Sequence, residues 1–186
     1  MANLNLIRLK IQDFEALLTA NHQKISPDFM EFLKKSKFFI LPASVGHHNN
    51  RDCGLLDHSL AVAETLLVLT ERNHLKWSRP ESPVIIGLFH DLCKTEAYEE
   101  GPDGLSKPWV YAEPRNQLYT GHGEKSVLML APWFQLTPEE VACIRWHMGA
   151  FDEKDNWSLY TAAVRQFPNV LWTHQADMIT AHILQR

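Results

Sequence analysis

The chain is short of cysteine. Three in 186 residues (Cys53, Cys93 and Cys143), with no CxxC pair, exclude a disulfide framework and a zinc finger. Free thiols of this kind are expected in a reducing cytoplasm. The chain also lacks a basic excess: 18 Lys and Arg stand against 22 Asp and Glu, for a net charge of −4. No extended nucleic-acid-binding surface is expected from that balance. Long apolar runs are missing, and none approaches the ~20 residues that span a bilayer. The N-terminal "MANLNLIRLKIQDFEALL" mixes charges among its apolar residues, unlike a signal peptide. Internal repeats and low-complexity segments are absent too.

What is present is an ordinary globular composition, 45% hydrophobic and 22% charged. It fits one core over residues 41–186, with residues 1–40 as an N-terminal helical extension packed on it. The apolar periodicity is helical nearly throughout, so an all-α fold is expected. Ser26–Pro27 and Ser82–Pro83 read as helix starts, as does Thr137–Pro138 with Glu140 completing a capping box. Gly149 reads as the end of that last helix. "SPVIIGLF" is apolar on every side, which marks a central, buried helix. "NVLWTHQADMITAHILQR" reads as one long closing helix. Residues 99–121 break the pattern and read as a lid-like loop with a small hairpin around "PWVYAEPRNQLY". Trp109, Tyr111 and Tyr119 there either stack on a base or pin the loop to the bundle.

Histidine is the one residue in excess, at 10. Several histidines break apolar helical faces. In the closing helix Val170, His174, Asp177, Ala181 and Leu184 share a face, so Asp177 points where aliphatic side chains point. A buried carboxylate needs a cation as partner. His58 lies on a small-residue face with Ala61, Val62 and Thr65. His147 shares a face with Glu140, Cys143 and Ile144. His90 and Asp91 end the apolar "VIIGLF" run, with Lys94 on the same side of the turn. His122 stands between two glycines at a helix start. Imidazole nitrogens and aspartate oxygens suit Mn, Fe, Ni or Zn, with Mg as a further option.

Taken together, "GLLDHSL" (His58), "FHDLCK" (His90 and Asp91) and "HQADM" (Asp177) resemble the HD-domain metal-dependent phosphohydrolase superfamily. "GHGEKS" (His122) and "RWHMG" (His147) match the two further histidines of a dinuclear branch. The resemblance runs over about residues 42–182. It departs from the family at Cys93, where glycine is frequent before the lysine. "HHNNRDCGLLDHSL" is similar to a segment ahead of the first ligand in HD-domain 3′–5′ exoribonucleases and relaxase-associated HD proteins. Those exoribonucleases carry an OB domain, and none is expected within residues 1–40.

The resemblance implies a compact HD-domain helical bundle holding two divalent transition-metal ions. His58, His90, Asp91 and Asp177 would hold one ion, and His122, His147 and the shared Asp91 the other. A water or hydroxide between ions roughly 3.5–4 Å apart would attack phosphorus. Asp91 and Lys94 are thus the catalytic candidates, with Lys94 bringing positive charge to the phosphoryl group. Arg51, His47, His48, Lys125 and His174 are candidates for substrate contact. The implied substrate is a small phosphate ester, nucleotide-like. The alternatives are a catalytically silent, metal-containing nucleotide-binding protein and a 3′–5′ exonuclease on short single strands.

Overall fold

A computed structural model describes residues 4–45, 51–101, 109–112 and 121–184. The chain is mostly helical, with one two-stranded sheet among the described residues. Eight α-helices follow in order: α1 (Leu4–Ala20), α2 (Pro27–Lys35), α3 (Gly54–Asn73), α4 (Ser82–Phe89), α5 (His122–Leu130), α6 (Pro138–Arg145), α7 (Trp157–Gln166) and α8 (Asn169–Met178). A 3₁₀ turn, Leu92–Glu96, follows α4. A π-helical segment, Ile179–Leu184, follows α8. None of these helices is long and apolar enough to cross a membrane.

The apolar run of α4 is buried along its whole length, which makes this helix the axis of the bundle. It runs beside α3, and Gly87 is the reason they can approach so closely. A Cβ there would collide with the backbone of Ala63. The N-terminal helices join the same core. Phe14 of α1 meets Phe38, Phe39 and Phe89 edge-on, with ring centroids 5.4–6.3 Å apart. Phe29 of α2 joins the cluster through Phe89 and adds Phe134 to it. Lys10 of α1 also pairs with Asp57 in the first turn of α3, at 2.8 Å.

A polar clamp holds the opposite end of the bundle from His90. Glu140 is fully buried and accepts hydrogen bonds from Arg79 Nε and Nη2, Ser82 Oγ and the Thr137 amide. Neighbouring Glu139 accepts from the Ser78 amide and from Asn169 Nδ2. The starts of α4, α6 and α8 are therefore tied together. A buried carboxylate is tolerated only when its lone pairs are filled in this way.

Several boundaries differ from the sequence reading. Ser26 and Thr137 cap their helices as expected, Thr137 with the full capping box. Ser82 does not cap α4; Glu81 is the flanking residue, and the Ser82 hydroxyl goes to Glu140 instead. Helix α6 stops at Arg145, so His147 lies in the turns that follow, before Gly149 takes a left-handed φ of 55°. The closing helix widens to π geometry after Met178 and leaves Leu184 half-exposed, off the face it was expected to share. The strand over Trp109–Tyr111 forms, but its partner is Tyr98–Glu100, antiparallel, with Glu99 opposite Val110. Residues 102–108 and 113–120, which make up most of the expected lid, lie outside the described residues. Trp109 pins the hairpin: it is buried, donates from Nε1 to Asp52 at 3.1 Å, and has the Lys37 ammonium over its ring. Tyr111 is exposed and packs on Tyr98, and Tyr119 lies outside the described residues.

Candidate metal centre

Five segments bring their polar side chains to one point. His58 comes from the second turn of α3. His90 and Asp91 follow the last turn of α4, where the chain leaves helical geometry and Asp91 adopts φ −102°, ψ 18°. His122 is the first residue of α5, after Gly121 at φ 92°. His147 follows α6, and Asp177 closes α8.

Asp91 is the hub. Its buried carboxylate has Lys94 Nζ at 2.6 Å and His122 Nε2 at 2.7 Å. His90, His147 and His58 Nε2 stand 3.4, 3.5 and 3.7 Å from it. Asp177 accepts from His58 Nε2 at 3.0 Å and lies 3.9 Å from His90. Donors bound to one ion at about 2.0–2.2 Å lie roughly 3–3.5 Å from each other. Most of these separations fall close to that spacing. Three overlapping sets offer donor atoms within 4.8 Å of one another: His58, His90 and Asp91; His90, His147 and Asp177; and Asp91, Cys93 and His122.

The ring orientations fit a cation. His90 Nδ1 donates to the Gly87 carbonyl at 2.9 Å, and His147 Nδ1 to the Ile144 carbonyl at 2.7 Å. A carbonyl only accepts, so in each neutral ring the lone pair is left on Nε2. Both Nε2 atoms are buried and lack a hydrogen-bond partner among the described residues. Two such orphans cost about 1–3 kcal/mol each unless something occupies the space between them. Carbonyl-oriented histidines are the usual way a protein fixes metal-ligating imidazoles.

Electrostatics point the same way. Burial alone would raise the Asp91 carboxyl, but Lys94, His90 and the hydrogen bond from His122 hold it well below the usual carboxylate range. Asp177 is likewise lowered, burial being outweighed by His58 and His90. Burial opposes charge on His122, yet its contacts with Asp91 and Cys93 raise it to about 10. His90 is raised against its burial by Asp91, while burial depresses His147. Without a metal, Lys94 and the proton on His122 supply positive charge to Asp91. A cation beside His122 would displace the proton on that ring.

The remaining candidates lie around this centre in different ways. Lys94 faces Asp91. His174 donates from Nδ1 to the His147 carbonyl at 2.8 Å and so braces the turn that carries His147. Gly149 is needed there because a Cβ would meet the His174 ring at 2.6 Å. Arg51 is engaged elsewhere, on Asp57. Lys125 pairs with Glu96 at 2.8 Å. His47 and His48 lie outside the described residues. Two participants gave little signal in the sequence. Cys93 contacts His122 Nδ1 at 3.2 Å, and only its departure from the family pattern marked it. The Arg79–Glu140 pair spans 61 positions, beyond any local pattern.

A cavity of about 370 Å³ opens beside His122, lined also by Glu124, Arg145, Met148, Phe151 and Asp152. Arg145 borders it, paired with Glu124 and Asp152 and lying over the Trp146 ring at 3.9 Å. That volume is in the range of small-molecule sites. Comparison of the chain with protein-family models, with curated proteins and with solved structures finds no match.

Proposed function

We propose that this chain is a metal-dependent phosphohydrolase of the HD-domain type, acting on a small phosphate ester with a nucleotide-like leaving group. The supporting observation is the convergence of His58, His90, Asp91, His122, His147 and Asp177, with two buried Nε2 lone pairs aimed into the space between them. In this reading His58, His90, Asp91 and Asp177 hold one divalent ion, and Asp91 with His122 holds a second. His147 lies between the two groups, 3.5 Å from Asp91 and within the set that contains Asp177. Mn, Fe, Ni and Zn all suit these donors. Bound ions of this kind supply Lewis acidity and lower the pKa of water.

The residues themselves do the rest. Asp91 and Asp177 balance positive charge in a centre from which bulk water is largely excluded. Lys94 holds its ammonium at the hub, where it can neutralise a phosphoryl oxygen as charge develops. Water adds to phosphorus, the ester P–O bond breaks, and the departing oxygen takes up a proton. The cavity that His122 borders has room for a leaving group.

The test is a turnover screen of the Mn-loaded protein. Substrates should include nucleoside mono-, di- and triphosphates, cyclic dinucleotides and short oligonucleotides. Phosphate release from a small ester, abolished in Asp91→Asn, is the expected result. Tight nucleotide binding without turnover would replace this reading with that of a silent binder. Stepwise shortening of the oligonucleotides would replace it with an exonuclease.

A further inference from the structure

The ligand histidines are oriented in two different ways. His90 and His147 each place Nδ1 on a backbone carbonyl of their own turn, as the bracing His174 does on the carbonyl of His147. His122 instead places Nδ1 3.2 Å from the sulfur of Cys93. It also needs the most help. It starts its helix behind a glycine at φ 92°, and its side chain is 34% exposed, while those of the other three ligand histidines are 5% or less.

Cys93 is well placed to give that help. It is buried in the 3₁₀ turn Leu92–Glu96. Its amide donates to Ser126 Oγ at 3.1 Å, and Ser126 lies one turn after His122 on the same helix. The turn is thus stitched to α5 at two points, the amide on Ser126 and the sulfur on His122. A glycine at position 93 would keep the first stitch and lose the second.

We infer that Cys93 is the positioning residue for His122: its sulfur accepts a hydrogen bond from Nδ1–H, which leaves the Nε2 lone pair for an ion shared with Asp91. The thiol does for this histidine what carbonyls do for the others. This rests on the metal-centre reading above. It concerns only the ion beside His122, and the ion held by His58, His90 and Asp91 is independent of Cys93.

The experiment compares wild type, Cys93→Ala and Cys93→Ser. Elemental analysis and metal titration should show Cys93→Ala keeping one ion and binding the second about 10–100-fold more weakly, the usual loss on removing such a partner. Cys93→Ser, whose hydroxyl accepts the same bond, should recover most of that loss. Crystals of metal-free Cys93→Ala should show the His122 ring turned away from Asp91. Two ions bound at wild-type affinity by Cys93→Ala, or an unmoved ring, would overturn the inference. So would a thiolate-to-cobalt charge-transfer band in the Co-loaded wild type, because sulfur would then be a ligand itself. A wild type that takes up no ion sinks the metal-centre reading instead, and the ring position still decides the role of Cys93.

Discussion

Asp91→Asn removes one charge from the hub and keeps its shape. The Lys94 ammonium then loses a carboxylate oxygen 2.6 Å away in a place where it is only 17% exposed. At that distance, with an effective dielectric constant near 20, the Coulomb attraction is about 6 kcal/mol before desolvation is counted. Desolvation cancels much of it in the intact pair, but removing one partner leaves the other charge buried. The cost of that is about 3–5 kcal/mol. The histidines around Asp91 escape by releasing protons, so Lys94 carries most of the loss. Metal-free Asp91→Asn should therefore unfold with about 3–5 kcal/mol less stability, or roughly 6–20 °C lower in Tm for a domain of this size. Adding Lys94→Met should restore most of it, because no charge is left to strand. Urea denaturation of chelator-dialysed proteins, followed by circular dichroism, closes the double-mutant cycle. Elemental analysis of the same variants should show both ions lost from Asp91→Asn, since two of the donor sets share that carboxylate. Additive effects of the two substitutions, or wild-type metal content in Asp91→Asn, would refute the hub.

Proton and cation compete at His122, so stability and metal affinity should move in opposite directions with pH. The folded-state value of about 10 lies above the ordinary 6.5. The stabilisation from this group is therefore complete below pH 6.5 and fades as pH rises toward 10. Thermal melts of the metal-free protein should fall through that window. Affinity for the ion beside His122 should climb by up to tenfold per pH unit, one proton being displaced per ion. His122→Ala should flatten the first trend and abolish the second; identical pH profiles in wild type and variant would count against both. At the other end of the bundle, Glu140→Ala should cost about 2–4 kcal/mol by urea denaturation, because it strands the Arg79, Ser82 and Thr137 donors together. An effect below 1 kcal/mol would show that the clamp is replaceable by water.

The cluster of histidines and aspartates was legible in part because several of its members interrupt an otherwise apolar helical face. Asp177 among Val170 and His174, and His90 after "VIIGLF", are visible from period 3.6 alone. Helix starts were legible where Pro follows Ser or Thr, since that chemistry is local. Helix ends were not. Helix α6 stops at Arg145 because His147 turns back to the Ile144 carbonyl, and nothing in "RWHMG" announces that. Ser82 carried a correct start signal but serves a partner 58 positions away, which no local rule can see. The pairing of Trp109–Tyr111 with Tyr98–Glu100 was missed for the same reason, as the two strands are chosen by the closing of a loop. Cys93 was visible only as an anomaly, because the geometry that explains it lies across two turns.

The buried glutamates give helix length a meaning of its own. Ser82 to His90, Glu140 to His147 and Asn169 to Asp177 are separated by eight, seven and eight residues, about 10–12 Å at helical rise, with His90 and His147 just past the ends of α4 and α6. Three rulers of nearly equal length therefore run from one fixed end to the centre. Exchanging a residue on an outer face leaves the measure intact. Adding or deleting one residue turns the terminal His or Asp by about 100° and draws it along the axis by about 1.5 Å. In this part of the chain, Gly87 apart, spacing constrains the sequence more tightly than the identity of the residues between the marks.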